Sequence, residues 1–434
     1  MGADINKSFR DFFSQQEFGE LGVTPAAKKI LEFLQKEVSI RRFNEYGRAY
    51  NAPVFYIGLE TISGEDRITG VGINKIFGRA LFSSILEFLE RFVLLTPPQP
   101  NLIYQDVDSL RSSHINYCDF SNINAIIKKS PDTERTKFYW VRGRALFSEE
   151  EILLPAQAVF WNYRIPNDRE PQIGEPNVNG TGGAMTKEKA ILFGIYELVE
   201  RDAFLLHWLT QKIPPRIDLK SIHDPEARYL ILEAEKRNLA VHILDITSDI
   251  EIPTFMVVFQ DRSRHFMSRG FSSNLNPMIG IKKALYETWG NYILNSYLLG
   301  GERRDDLSFV SNSRTSAPKM LYNHIRERYN FWINPDALQY LMFLLEGPLK
   351  PLNMHPETQD EVNTVLNVLK KAGIKEIFSY APEHGLLKLF GFFVAKIIIP
   401  DLIPLYFKEE NAYFAYSHKR LGGKVKTTLP PPFA

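Results

Sequence analysis

Three long segments of this chain are apolar on nearly every side of a helix, and this pattern limits its fold more than any other feature. The segments span residues 79–95, 186–209 and 279–298, and each is rich in large apolar side chains. A helix without a broad polar face must be covered by other elements over most of its surface. The sequence therefore predicts a fold built around three buried helices.

Predicted strands precede each of these helices. They cover residues 54–59 and 68–73, then 138–147 and 152–163, then 241–246, 254–260 and 265–270. Their apolar runs have the length and the alternation that strands show. Paired strands followed by one long helix favour a mixed α+β architecture over a regular alternation of strand and helix. We expect an internal repeat of strand–strand–helix units.

The remaining segments are predicted to flank these units. Residues 1–45 are expected to form an N-terminal helical arm, with a helix over residues 26–38, and residues 46–434 the main domain. The polar stretch 300–316 is predicted to be an exposed loop. The last elements are predicted as helices over residues 335–345 and 357–371 and strands over residues 374–379 and 389–399.

The charge balance and the apolar segments exclude several classes of partner. With 52 basic and 51 acidic residues, the chain has no net field that would attract nucleic acid or an anionic membrane. The most apolar segment, residues 387–407, is interrupted by Lys396 and Pro400 and is predicted to be buried strand and turn. No apolar signal core follows Met1, and the single cysteine, Cys118, cannot form an internal disulfide. We expect a cytoplasmic protein without a membrane or nucleic acid partner.

Carboxylates interrupt the first apolar helix. Ser83, Glu87 and Glu90 are spaced four and three residues apart and share one stripe of the helix, with Arg91 beside it. Burying ionised carboxylates is costly unless a cation compensates them, and Mg²⁺ often reaches proteins together with a nucleotide. The alternative interpretation is that the stripe pairs with groups across the core or forms its solvent edge.

The same polar pattern recurs on the other two helices. It comprises Glu197, Glu200 and Arg201 on the second helix and Lys283, Glu287 and Asn291 on the third. The leading glutamates are separated by 110 and 90 residues, which are distances of repeat size. Before the second helix, residues 179–184 contain glycines whose N–H groups could approach a phosphate, although a plain turn is the better interpretation of this run alone. The sequence thus predicts that the carboxylates of three packed helices converge.

These residues resemble the motifs of the YcaO family. Residues 83–91 fit the family's S-x-x-x-E-x-x-E-R motif, and residues 197–203 fit its E-x-x-E-R-D-A motif. Family landmarks also match at residues 140–143, 154–156 and 394–402, so the resemblance covers residues 45–434. It implies a fold of strand–strand–helix units around a central nucleotide site, in which the peptide amide is activated by phosphorylation.

The resemblance also implies the cofactors and the residues that bind them. ATP and Mg²⁺ are the expected cofactors. The expected ligands of Mg²⁺ or of ATP are Glu87, Glu90, Glu197, Glu200 and Glu287. The residues expected on the nucleotide are Ser83, Arg201 and Asn291.

The chain departs from the family pattern at several positions. The G-K-G signature reads Gly72-Ile73-Asn74, Met185 replaces an asparagine, Lys189 replaces a glutamate with Glu188 one residue displaced, and Lys283 replaces an arginine. The expected glutamine of the third motif falls on Asn291, or on Gly290 in a register one residue shorter. These departures bear on ATP turnover more than on the fold. A degenerate, noncatalytic scaffold is therefore an alternative function.

The proline-rich end of the chain separates the branches of the family. Azoline-forming members end in P-x-P-x-P, and this chain reads Pro430-Pro431-Pro432-Phe433-Ala434. The likeness favours cyclodehydration of Cys, Ser or Thr over thioamide or amidine formation, with the carboxylate of Ala434 as the catalytic base. The alternative interpretation is that these prolines form an ordinary exposed terminus.

The resemblance finally implies partners for such an enzyme. The expected substrate is a ribosomal precursor peptide, as in the biosynthesis of azole-modified bacteriocins. Because the sequence contains no separate leader-binding module, we expect an E1-like partner protein to recognise the leader. A flavin-dependent dehydrogenase in the same complex and a homodimer are also compatible with the resemblance.

Overall fold

The computed structural model of the chain describes residues 25–38, 40, 42–45, 51–63, 66–95, 102–119, 136–161, 163, 170–171, 177–263, 265–300, 328, 331–354, 358 and 360–432. The strands are β1 Arg42–Glu45, β2 Phe55–Ser63, β3 Asp66–Asn74, β4 Ile103–Asp106, β5 Lys137–Ala145, β6 Glu151–Pro155, β7 Thr181–Ala184, β8 Arg216–Ile217, β9 Leu239–Asp245, β10 Thr254–Asp261, β11 Phe266–Ser273, β12 Leu349–Lys350, β13 Phe378–Tyr380 and β14 Phe393–Ile398. The α-helices are α1 Pro25–Glu37, α2 Phe77–Val93, α3 Val107–Ser112, α4 Ala156–Val159, α5 Lys187–Thr210, α6 Pro225–Glu235, α7 Pro277–Gly300, α8 Glu361–Lys371, α9 Gly385–Phe390 and α10 Ala412–Tyr416. This content confirms the predicted mixed α+β class.

The strands form three sheets. The first has the order β1-β2-β3, the second β4-β5-β13-β14-β7 with β6 paired to β5, and the third β11-β10-β9-β8-β12. Most neighbouring strands are antiparallel, whereas β8 and β12 run parallel. Each sheet is covered by one of the long helices, because α2 packs on β3, α5 on β7 and β14, and α7 on β10 and β11.

The second unit is assembled differently from the prediction. The glycine-containing residues 179–184, which could be read as a turn, contain the strand β7. Its partner is β14, so the strand pair beneath α5 joins segments more than 200 residues apart in the sequence. The expected hairpin of residues 138–147 and 152–163 instead forms β5 and β6 at another part of the same sheet.

Three other predicted elements have different limits or types. The strand expected over residues 152–163 stops at Pro155, where α4 follows. The helix expected over residues 335–345 consists of two 3-10 helices, Pro335–Tyr340 and Met342–Leu345. The strand expected over residues 389–399 starts only at Phe393, because α9 continues to Phe390.

The long helices are buried as predicted. Phe88 and Leu89 of α2, Phe204 and Leu205 of α5, and Trp289 of α7 have no solvent-exposed surface. Burial of apolar surface at these positions is the main driving force for assembling the sheets around the helices. No helix in the described part of the chain is long and apolar enough to cross a membrane.

Candidate active site

Each long helix lies almost in contact with the backbone of the strand before it. A Cβ atom on Gly70 would lie 2.2 Å from the carbonyl oxygen of Ser84, and one on Gly270 would lie 2.3 Å from that of Ala284. The same spacing relates Gly180 and Gly194, which are also in close contact. Glycine is required at these strand positions because a side chain would push the helix away. The three repeat units therefore match one another residue by residue at these close contacts.

The leading glutamate of each helix accepts a hydrogen bond from the neighbouring strand or from the turn before it. The backbone N–H of Val71 donates to Glu87 Oε2 at 2.8 Å. The N–H of Gly180 donates to Glu197 Oε2 at 3.1 Å, and that of Phe271 donates to Glu287 Oε2 at 2.7 Å. These three glutamates are thus structurally equivalent. A backbone donor fixes one carboxylate oxygen of each and leaves the other for a second partner.

The three units close into a ring. Besides its own strands, α2 packs on β7 of the second unit, α5 on β11 of the third, and α7 on β3 of the first. At the first junction Glu90 lies against Gly183, where a Cβ atom would be 2.5 Å from Glu90 Oε1, and at the second the backbone of Ser273 favours the ionised form of Glu200. At the third junction Gly290 faces the side chain of Ile73. Two junctions are therefore polar and the third is apolar.

The hydrogen bonds also settle the register of the third helix. Asn291 Nδ2 donates to the carbonyl of Arg269 at 2.6 Å, just as Arg91 Nη1 donates to the carbonyl of Thr69 at 2.9 Å. Asn291 therefore corresponds to the motif arginines, and Gly290 occupies the position of the second motif glutamate. The expected glutamine consequently falls on Gly290, and a role of Asn291 on the nucleotide stays a prediction.

The five motif glutamates, Glu87, Glu90, Glu197, Glu200 and Glu287, form what we call the carboxylate cluster. Desolvation raises the pKa of Glu90 to about 8, and the charges of Glu87 and Glu197 contribute. Desolvation also raises the pKa of Glu287 to about 7, assisted by the charge of Glu200. These mutual effects show that Glu90 is electrostatically coupled to Glu87 and Glu197, and Glu287 to Glu200, so neighbouring members of the cluster lie near one another.

Besides Arg91, which pairs with Glu87, Arg201 and Lys283 face the cluster. Arg201 pairs with Glu200 at 2.8 Å and lies 3.6 Å from Glu197. Lys283 lowers the pKa of both Glu200 and Glu287, although desolvation is the larger effect on each and the net shift of Glu200 is upward. The negative charge of the cluster is therefore only partly balanced by the protein, which suits a site for an additional cation.

The donor set fits a metal that is shared with a second ligand. Within the residues that the structure describes, no three acidic, histidine or cysteine side chains are arranged as a complete metal site. Mg²⁺ usually takes one or two protein carboxylates and completes its shell with water or phosphate oxygens. The spread of carboxylates around the ring matches that mode of binding better than an all-protein cage.

The other positions that the motifs single out are mostly exposed. Ser83 is exposed one turn before Glu87, and Lys283, at the equivalent place on α7, lies 5.9 Å from the ring of Phe193. Lys189 is exposed in the first turn of α5, where its backbone N–H is capped by Thr186. Met185 and Glu188 are exposed as well, and Ala434 lies outside the described residues.

Two buried charged residues that sequence reasoning did not assign also support the site. Asp202, which follows Arg201 in the motif, accepts hydrogen bonds from the Ile403 N–H at 2.9 Å and from Arg420 Nε at 2.8 Å. Lys396 donates to the carbonyl oxygens of two residues before β7. The signals for Lys396 were a lysine within a continuous apolar strand sequence and its place in the family landmark of residues 394–402.

The described part of the proline-rich tail is packed against the protein. Trp208 Nε1 donates to the carbonyl of Leu429 at 3.1 Å, and the N–H of Lys426 donates to the carbonyl of Leu209 at 2.7 Å. Pro430, Pro431 and Pro432 are buried. An ordinary exposed terminus is therefore the wrong interpretation for these three prolines.

Comparisons with known structures reveal the same fold. A heterocyclase in complex with substrate and cofactor matches with a TM-score of 0.68 at 18% identity, over 87% of this chain and 53% of the heterocyclase, so this chain spans about half of that protein. YcaO from Methanopyrus kandleri, bound with AMPPCP and Mg²⁺, matches with a TM-score of 0.62 at 17% identity, over 87% of this chain and 91% of that one. A chain of the E. coli microcin synthetase McbBCD complex matches with a TM-score of 0.61 at 18% identity, over 87% and 93% of the two chains.

The family assignment follows from a sequence model as well. The model described as YcaO cyclodehydratase, ATP- and Mg²⁺-binding, matches residues 72–403. That range contains all three long helices, the carboxylate cluster, and the strand β14 that completes the second unit. ATP and Mg²⁺, the cofactors implied by the motifs, are those of the family. The chain belongs to the YcaO family.

Proposed function

We propose that this protein is an ATP- and Mg²⁺-dependent enzyme that converts Cys, Ser or Thr residues of a ribosomal precursor peptide into azoline rings. One observation supports the proposal: carboxylates of three equivalent helices lie within electrostatic reach of one another, and Arg201 and Lys283 lie among them. Surplus negative charge that only partly finds partners favours a bound cation. Family membership favours ATP as the companion of that cation.

Individual residues of the cluster would have different duties. Glu90, Glu200 and Glu287 have raised pKa values and would lose protons to become metal ligands. Glu87 and Glu197 each keep one oxygen on a backbone N–H, which orients the other oxygen. Arg201, already paired with Glu200, would share its remaining donors with phosphate oxygens.

The cofactor provides the phosphoryl group, which no protein side chain can supply. Bound ATP with Mg²⁺ supplies the phosphoryl group that turns an amide oxygen into a leaving group. The protein's part is to hold the peptide amide near that group and to exclude water. Removing a proton from the attacking thiol or hydroxyl needs a base, and we assign this role to the carboxylate of Ala434.

The buried His207 and the half-buried His242 are poor candidates for that base. His207 lies on α5, where its Nδ1 contacts the Ala203 carbonyl at 2.9 Å and desolvation lowers its pKa to about 4. Desolvation also lowers the pKa of His242 on β9. The docked prolines, by contrast, end the described tail in a stiff segment next to α5.

The test is reconstitution with the precursor peptide. The purified chain, an E1-like partner from its genomic neighbourhood, the peptide, ATP and Mg²⁺ are incubated together, and the peptide mass is followed. Loss of one water per modified residue, dependent on ATP, is the expected result. The same mixture without ATP serves as the control.

Other mass changes would identify a different function. Replacement of an amide oxygen by sulfur would mean thioamide formation, and replacement of oxygen by nitrogen would mean amidine formation. An unchanged peptide together with absent ATP hydrolysis would contradict an enzymatic role and leave the scaffold interpretation.

A further inference from the structure

The same backbone carbonyl in each repeat unit has a different hydrogen-bond donor. In the first unit, Arg91 donates to the carbonyl of Thr69 at 2.9 Å, and in the third unit Asn291 donates to that of Arg269 at 2.6 Å. The equivalent residue of the second unit is Asn179, and its carbonyl accepts from Lys396 at 2.5 Å. The second unit thus takes its donor from β14 and not from its own helix.

In the second unit, where Lys396 provides this donor, the arginine of the helix motif also points in a different direction. Arg91 is held by Glu87 and by Thr69, both within the first unit. Arg201, in the equivalent helix position, lies 3.6 Å from Glu197, the counterpart of Glu87, and pairs more closely with Glu200 at 2.8 Å. Glu200 is the glutamate at the junction with the third unit, where the carboxylates converge. Arg201 therefore contacts two carboxylates of the cluster, whereas Arg91 pairs with one of them, Glu87, and also supports a strand.

Burying the ammonium group of Lys396 costs free energy. Only 3% of its surface is exposed, and its ammonium group also donates to the carbonyl of Asn177 at 2.9 Å. Both acceptors are neutral and do not cancel its charge; the carboxylate of Glu197 is near enough to favour the charged form, but burying the ammonium group remains unfavourable. The two carbonyls flank the turn that leads to Gly180, whose N–H holds Glu197. A lysine here thus shapes the approach to the cluster.

We propose that Lys396 is a positioning residue: by binding the carbonyl of Asn179, it releases Arg201 from the strand-supporting role of Arg91 and directs Arg201 toward the nucleotide site. The proposal rests on the proposed nucleotide-binding function. It explains why arginines of two equivalent motifs have different partners. Without the lysine, Asn179 would need another donor, and Arg201 is the helix residue in register to supply it.

A double-mutant cycle tests this coupling. The affinity for AMPPCP with Mg²⁺ is measured by calorimetry for the wild type, Lys396→Met, Arg201→Met and the double variant. We expect each single variant to lose affinity by about tenfold to hundredfold, the range of a charge-assisted hydrogen bond. The double variant should be no weaker than Arg201→Met. Lys396→Arg, which keeps a charged donor, should restore most of the affinity.

Controls separate positioning from loss of fold. Lys388→Met, which changes an exposed lysine, should bind like the wild type, and thermal unfolding should show that each variant is folded. If Lys396→Met does not fold, Lys396→Gln, which keeps a neutral donor, enters the cycle in its place. Independent losses that multiply in the double variant would overturn the proposal.

A crystal structure of the Lys396 variant distinguishes failure of this proposal from failure of the proposed function. Arg201 is expected to turn to the carbonyl of Asn179, copying the contact of Arg91 with Thr69. If the wild type binds no nucleotide, the proposed function fails, and the direction of Arg201 still decides the role of Lys396. An arginine that keeps its pair with Glu200 in the variant would refute the positioning role.

Discussion

Ile73 fills the space that a side chain at Gly290 would need. A Cβ atom on Gly290 would lie 2.2 Å from Cδ1 of Ile73. The equivalent helix positions carry Glu90 and Glu200, whose ionised forms are favoured by the backbone of the next unit at Gly183 and Ser273. Ile73 stands where the family's G-K-G signature has its lysine. Gly290 stands where the family's third motif has a glutamine. These two departures from the family pattern therefore contact each other, and together they close the third junction with apolar packing.

This contact predicts that the two positions are energetically coupled. Gly290→Gln should destabilise the chain by about 1–3 kcal/mol, the usual cost of overpacking a core. Ile73→Ala alone should also destabilise, because it opens a cavity. The double variant should lose less than the sum of the two, as measured by urea unfolding. Replacing Gly290 also raises the helix propensity of α7. This gain is the same with and without the Ile73→Ala change, so it cancels when the four proteins of the double-mutant cycle are compared. Strict additivity would show that the positions do not share this space.

The second prediction concerns the glutamate paired with Arg201. Glu200→Gln should abolish Mg²⁺-dependent nucleotide binding while the protein remains folded, because the change removes charge at nearly constant volume. Calorimetric titration with AMPPCP and Mg²⁺ gives the affinity, and thermal unfolding checks the fold. Glu188→Gln, an exposed change in the first turn of the same helix, is the matched control. Unchanged affinity in the Glu200 variant would remove Glu200 from the site.

The third prediction is a pH dependence of metal binding. The folded-state pKa of Glu90 is about 8 and that of Glu287 about 7, both above the ordinary 4.5. The protonated carboxyls of these two residues therefore contribute fully to the free energy of unfolding below pH 4.5. This contribution is lost as the pH rises through about 7 for Glu287 and about 8 for Glu90. A bound cation favours the ionised forms and must displace their protons. Mg²⁺ with AMPPCP should thus raise the melting temperature more at pH 8 than at pH 6.

Proton release provides the direct measurement. Titrations near pH 7 in buffers with different ionisation enthalpies should reveal protons released on binding Mg²⁺ with AMPPCP. Glu90→Gln should reduce that number, since it removes one of the titrating groups. Binding with no proton release in any buffer would mean that these carboxylates are not metal ligands.

The sequence revealed the three helices and the carboxylates because both signals are local. A run of apolar residues and a glutamate spacing of three or four are complete within one helix. The pairing of β7 with β14 could not be predicted, since its two strands are far apart in the chain and β7 is short. The glycines of residues 179–184 were ambiguous for the same reason. A glycine that permits a turn and one that permits close helix packing look identical in a sequence.

The departures from the family pattern show a second limit. Ile73 and Gly290 each look like a lost function when read alone, and only their contact identifies them as complementary. Lys396 lies in an apolar strand, and its acceptors come from the turn before β7. Asp202 is a motif residue whose partners, Ile403 and Arg420, lie about 200 residues later. Such roles depend on tertiary neighbours that no local pattern contains.

The tail gives the last prediction: deleting residues from Pro431 onward should cripple ring formation while leaving nucleotide affinity nearly intact. Pro431 and Pro432 are buried, and the tail before them is fixed by the hydrogen bond from Trp208 to Leu429. A stiff polyproline segment anchored in this way holds whatever follows it at a defined place with a small entropic cost. Replacing both prolines by alanine keeps the length and tests stiffness separately. Water loss from the peptide is compared with AMPPCP affinity for each variant. A truncated chain that forms rings at the full-length rate would exclude the tail, and with it the Ala434 carboxylate, from the reaction.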